Sequence, residues 1–139
     1  MSDRNKLRED IEDIIQVKYL YGAVVDGLCK GTHQASDLVR VFSDDAQVIF
    51  SPTASFIGLP AIKQTFAVDT PARSKMMWHS FSNPRIEVDG DTAKGDWLVQ
   101  AFVQPHDADA PRQTIGAYEE KYVRTPKGWR ISSLILHRS

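Results

Sequence analysis

The chain has 139 residues, 42% of them hydrophobic, which suits one domain with a proper core and room for a pocket. Its formal net charge of -1, from 17 basic and 18 acidic side chains, offers no footprint for nucleic acid, and no basic run is interleaved with aromatics. The charged start MSDRNKLREDIEDIIQ and the lack of any stretch near ~18 consecutive apolar residues argue against a signal peptide or membrane span, so a soluble, cytoplasmic protein is expected.

Cys29, the single cysteine, cannot form an internal disulfide and reads as a small packing residue. No His/Cys spacing of zinc type is present, so no metal site is expected.

From Asp3 to Lys30, Leu7, Ile11, Ile14, Tyr21, Val25 and Leu28 follow steps of four and three, or their sum between Ile14 and Tyr21, which predicts a helix that Gly31 ends. A short second helix, SDLVRVF, is expected from Ser36 as N-cap, with Leu38, Val39 and Phe42 on one side. DAQVIF at 45–50 is strand-like, and GLPAIKQTF from Gly58 reads as a third helix opened by Pro60.

After Thr70 come four segments rich in β-branched and aromatic residues, at 76–88, 93–104, 114–124 and 128–137. The turn signals VDGDT, PHDADAP and TPKG separate them, which predicts an antiparallel meander. Helices first and a meander after is an α+β pattern. A long, strongly twisted sheet can curl around the first helix and enclose a pocket. Ala93, Gly95, Trp97, Val99, Ala101 and Val103 alternate on one face and mix small residues with one large aromatic, as a pocket wall requires. Leu98 and Phe102 fall on the opposite face, where a homodimer through the sheet would cover them.

Three places carry candidate chemistry. Asp26 ends the apolar run YLYGAVVDG, on a second helical line with Ile15, Tyr19 and Gly22. It is either a solvated last-turn residue or half of a pair, and Gly22 leaves room for another group to approach. His79, in MMWHSFSN with Met77 and Phe81 on its face, is either a satisfied core histidine or, beside a carboxylate, a general base. Asp26 is the natural partner.

Tyr118 and Glu120 share a strand face with Gly116 and Tyr122. A phenol can donate to a developing oxyanion and a buried Glu can serve as second acid or base; equally, Glu120 can be a salt-bridged residue of an amphipathic strand. Trp129 and Arg130 read as packing residues, and His33, His106 and His137 as exposed.

Together, the first helix with Tyr21 and Asp26, LVRVFSDDAQVIF, GLPAIKQTF, His79 followed by SNPRIEVDGDTAKGDW, and the closing GAYEEKYVRTPKGWRI resemble the SnoaL-like group of the NTF2-like superfamily. That group includes scytalone dehydratase and bile-acid 7α-dehydratase. The resemblance spans nearly the whole chain and implies an NTF2-like cone: three N-terminal helices packed on a strongly curved, mainly antiparallel sheet.

It also implies a cofactor-independent lyase on a hydrophobic aromatic, polyketide or steroid-like substrate, with His79 as base, Asp26 as its orienter, Tyr21 as positioner and Tyr118 as phenol donor. A ketosteroid-isomerase-like isomerase would share the first step. A non-catalytic assembly module, like the small subunit of ring-hydroxylating dioxygenases, shares the fold. Two departures bear on substrate: Phe50 stands where scytalone dehydratase has a tyrosine, and that enzyme's second histidine falls near Val103, with His106 three residues on. Tyr21 and Asp26 lie about 140° apart on a regular helix, so sharing a site requires the ring to reach around or the last turn to bend.

Overall fold

The first helix, α1 (Asp3–Lys30), runs 28 residues in the computed structural model, which describes residues 3–139. Ile14, Tyr21, Val24 and Val25 are buried along it. Leu7 is 45% exposed, so the apolar stripe starts later than its spacing suggests, and two charged residues, Asp10 and Lys18, are buried instead. Gly31 ends the helix at φ 82°, with the Thr32 N–H donating back to the Gly27 carbonyl at 2.9 Å.

The second helix is a short 3-10 segment, Ala35–Arg40. Its N-cap is Gln34 rather than Ser36, and the Gln34 N–H donates to the Asp37 carboxylate at 2.9 Å. Strand β1 (Phe42–Ser51) begins three residues before the sequence pattern suggests, and the chain doubles back as β2 (Ala54–Ile57). Gly58, at φ 87°, then opens α2 (Leu59–Lys63) with Pro60 in its first turn.

The helical path continues past Thr70, through a π-turn (Gln64–Asp69) into α3 (Thr70–Arg73). Pro71 has no N–H for the i→i−4 ladder, and the backbone widens just before it.

The meander is β3 (Ser74–Asp89), β4 (Thr92–Pro105), β5 (Arg112–Thr125) and β6 (Gly128–Arg138). The sheet order is β2-β1-β6-β5-β4-β3, with β1 parallel to β6 and every other pairing antiparallel. This is a curved, unclosed mixed sheet carrying helices on one face, an α+β cone of NTF2-like type. In β3 the register with β4 shifts between Ser82 and Arg85, where Asn83 adopts φ 55° ahead of Pro84. A bulge of this kind sharpens the local twist and helps a 16-residue strand curve over α1.

Along β4, Ala93, Gly95, Trp97, Val99 and Ala101 are buried and their neighbours face out, as alternation requires. The outer face leaves Trp78, Leu98 and Ile115 about half exposed, with the Trp78 and Phe102 rings 5.6 Å apart. Among the described residues, no helix is long and apolar enough to cross a membrane.

Asp10 ties α1 to the sheet. Arg124 donates to both its oxygens, at 2.8 and 2.9 Å, and Trp129 Nε1 adds a bond at 3.2 Å. Trp129, read as a packing residue, thus also anchors a buried acid. The Arg124 bonds outweigh burial and hold the Asp10 carboxyl at about 2, below its ordinary 3.8. A folded-state value below the unfolded one means stabilisation that is complete above the ordinary value and lost as pH falls toward the folded one. Melting temperature should therefore drop between pH 4 and about pH 2. In an Asp10→Asn variant the drop should be shallower; an identical slope would place the acid sensitivity elsewhere.

Candidate active site

The last turn of α1 packs on the middle of β3 and brings Asp26 to His79. Asp26 Oδ1 lies 2.6 Å from His79 Nδ1, and Asp26 Oδ2 accepts the His79 backbone N–H at 3.0 Å. One carboxylate thus grips both the ring and the backbone of the same residue. With Nδ1–H directed at Asp26, the neutral imidazole presents its lone pair at Nε2, which has no hydrogen-bond partner among the described residues. The His79 side chain is 6% exposed and that of Asp26 18%.

Gly22 has a definite reason to be small. A Cβ there would lie 2.7 Å from Phe81 Cε2, so the group that approaches the helix is the Phe81 ring, which also sits 5.8 Å from the His79 ring.

His79 lines a cavity of about 480 Å³. Tyr21, Phe50, Val103 and Tyr118 line it too, with Val99 and Ala101 from the same face of β4. Met77, on the strand face of His79, completes the apolar wall together with Phe66 and Leu136, which sequence reasoning did not single out. A largely apolar hollow with a few convergent polar groups is the usual form of a small-molecule site. Tyr21 and Asp26 both reach His79, from different sides: the Tyr21 ring faces the cavity, edge-on to His79 at 6.1 Å, and Asp26 stands behind the imidazole.

The Tyr21 and Tyr118 hydroxyls are 3.5 Å apart. Burial raises both phenols above their ordinary values, so both stay neutral and able to donate.

Trp97 and Glu120, expected at the ligand, are not in this cavity wall. Trp97 Nε1 donates to the Tyr122 hydroxyl at 3.0 Å, and that hydroxyl donates to Glu120 Oε1 at 2.6 Å. Glu120 Oε2 pairs with Lys18, whose side chain is wholly buried. Gly95, too, makes room for protein and not for ligand: a Cβ there would lie 2.8 Å from the Tyr122 hydroxyl. Strand parity places these residues on the inner face, but the part of that face around them is filled by their own network.

Lys18 escaped sequence reasoning. Its ammonium lies 3.6 Å from the Tyr118 ring centroid and 4.4 Å from those of Tyr21 and Phe81, directly behind the cavity wall. Burial pulls it down to about 8 from 10.5, against the pull of the Glu120 carboxylate. A signal was available: position 18 splits the seven-residue step of the stripe from Ile14 to Tyr21 into four and three.

His106 lies outside the cavity, with Nε2 2.8 Å from the Pro71 carbonyl. Cys29 is half-buried, its thiol raised by burial and by the nearby Asp26 charge. Among the described residues, no group of three or more His, Cys, Asp or Glu side chains could hold a metal ion.

Residues 7–135 match the SnoaL-like domain. The chain belongs to the SnoaL-like family. A relative in Mycobacterium tuberculosis, the uncharacterized protein Rv2910c, is 30% identical over 137 residues, covering 93% of this chain and 88% of that one.

Among solved structures, this SnoaL-like chain is similar to a candidate scytalone dehydratase from Novosphingobium aromaticivorans. The TM-score is 0.84 at 20% identity, over 100% of this chain and 89% of the other. It is also similar to hexachlorocyclohexane dehydrochlorinase LinA-type3 from Novosphingobium barchaimii, with a TM-score of 0.75 at 20% identity over 99% and 89% of the two chains. At these identities the likeness establishes the shared fold.

Proposed function

We propose that this SnoaL-like protein is a cofactor-independent lyase, acting by elimination on a hydrophobic carbonyl compound of aromatic, polyketide or steroid type. The observation that carries this is the Asp26–His79 pair: both carboxylate oxygens are committed to His79, whose ring lines an apolar cavity with Nε2 unpartnered.

In this reading Nε2 takes a proton from the carbon next to the substrate carbonyl, and the imidazolium that forms is stabilised by Asp26. The released electron pair becomes an enolate, whose oxygen accepts hydrogen bonds from the Tyr118 and Tyr21 phenols. The enolate then collapses to a carbon–carbon double bond and expels a β-hydroxyl. Nε2–H gives its proton to that group, which departs as water, and His79 is restored. Returning the proton to another carbon instead would be isomerisation, with the same first step.

A purely structural module would leave the pair sealed in a filled interior. The open cavity beside His79 favours catalysis over that reading. The half-exposed Trp78, Leu98 and Ile115 on the outer sheet face support a homodimer through the sheet.

The test starts with carbonyl-bearing aromatic and steroid compounds ranked by thermal shift, since a ligand of the folded state raises apparent stability. The best binders, incubated with the protein in deuterated water, should lose water or take up deuterium beside the carbonyl. Both processes should vanish in His79→Ala. Turnover surviving that substitution would rule His79 out as the base.

A further inference from the structure

The cavity wall changes character between its inner part and its opening. Its buried part is mostly rings and aliphatic groups, with Thr65 and Ser74 among them, whereas two exposed arginines, Arg73 at the end of α3 and Arg138 at the end of β6, also line it. Backbone bonds fix both positions. The Arg73 carbonyl accepts the His106 N–H at 3.0 Å, and the Ser139 N–H donates to the Ile115 carbonyl at 2.9 Å, which keeps the end of β6 paired beside β5.

Neither guanidinium makes an ion pair or side-chain hydrogen bond among the described residues. One carboxylate, Asp69, lines the same cavity and accepts the Gln64 amide at 3.0 Å. Arg73 also borders a shallow surface hollow with His106 and Asp107, without an ion pair to Asp107. The cavity lining thus carries two positive charges and one negative, a net charge of one positive unit beside an apolar interior.

We infer that the ligand is an amphipathic monoanion, an apolar carboxylic acid whose body lies against the Phe50, Phe56 and Phe66 rings and whose carboxylate is held at the opening by Arg73 and Arg138. Guanidinium forks match carboxylates geometrically, and the net charge of the lining favours a singly charged group over a phosphate dianion. Held this way, the acid end faces water while the far carbons extend toward His79. The inference rests on reading the cavity as a small-molecule site, as proposed above, and does not depend on His79 being a base.

Isothermal titration with 2-naphthylacetate and its neutral amide, 2-naphthylacetamide, tests it without any turnover. The acid should bind roughly tenfold tighter than the amide, as expected for charge-assisted hydrogen bonds at a partly exposed site. The gap should narrow as salt is raised. In an Arg73→Gln/Arg138→Gln variant, both positions being exposed, the gap should close while amide affinity holds. Equal binding of both compounds, a gap that survives the double variant, or binding of neither compound would overturn the inference. His79→Ala should keep the acid preference. A preference that depends on the arginines while turnover is indifferent to His79 would therefore sink the catalytic reading alone.

Discussion

Replacing Lys18 with methionine is expected to cost about 3–5 kcal/mol of stability, the usual penalty for removing one partner of a buried ion pair. Methionine matches the length and apolar stem of lysine, so the loss is not a packing loss. It arises because Glu120, itself 1% exposed, is left buried without its cation and with only the Tyr122 hydroxyl as donor. The ammonium also lies over three aromatic rings at 3.6 to 4.4 Å, and that attraction is lost with it.

Against the ~5–15 kcal/mol typical of a domain, such a loss is a large share. Urea titration should show a midpoint shift at unchanged slope. Adding Glu120→Gln should recover at least half of the loss, since the amide still accepts from Tyr122 and leaves no buried charge. A single-variant cost below about 1 kcal/mol would mean that Glu120 is not held as a carboxylate by Lys18. Because Lys18 sits behind the Tyr21 and Tyr118 rings, the same variant should also loosen the phenol pair on the cavity wall.

The meander and the long helix were legible because their signals are local: period-two alternation, turn residues and a three-four apolar rhythm. The contact between Asp26 and His79 was legible for another reason. An acid closing an apolar run and a histidine on an apolar strand each need a partner, and each is the other's best candidate.

Depth along a strand is not local. Parity puts Trp97, Glu120 and Val103 on the inner face alike, but only the three-dimensional filling decides that Val103 borders empty space while Trp97 and Glu120 border Tyr122 and Lys18. Lys18 was missed because a charged residue on a helix stripe reads as a gap in it, when here the gap is as fully buried as Ile14 beside it. The π-turn before Pro71 and the short strand β2 depend on pairing and ladder geometry that composition does not encode.

Asp26→Asn is expected to lower turnover about 10⁴-fold, the effect of presenting the wrong imidazole tautomer. The geometry of this site says why the amide would do so. Asp26 Oδ2 accepts the His79 backbone N–H, a donor that cannot change its role, so the asparagine oxygen must take that place. Its NH₂ group then faces Nδ1, which has to accept, and the ring proton is forced onto Nε2, the atom meant to receive one from substrate.

Both contacts to His79 survive in this arrangement, so stability should fall by no more than about 1–2 kcal/mol, the excess of a charged over a neutral hydrogen bond. Asp26→Ala frees the ring instead of locking it, and should retain more activity than the asparagine variant while losing more stability. Measuring both variants separates tautomer control from simple anchoring. If alanine proved the more damaging to turnover, or if asparagine stayed within tenfold of the native chain, Asp26 would be a tether for β3 and not the group that sets the state of His79.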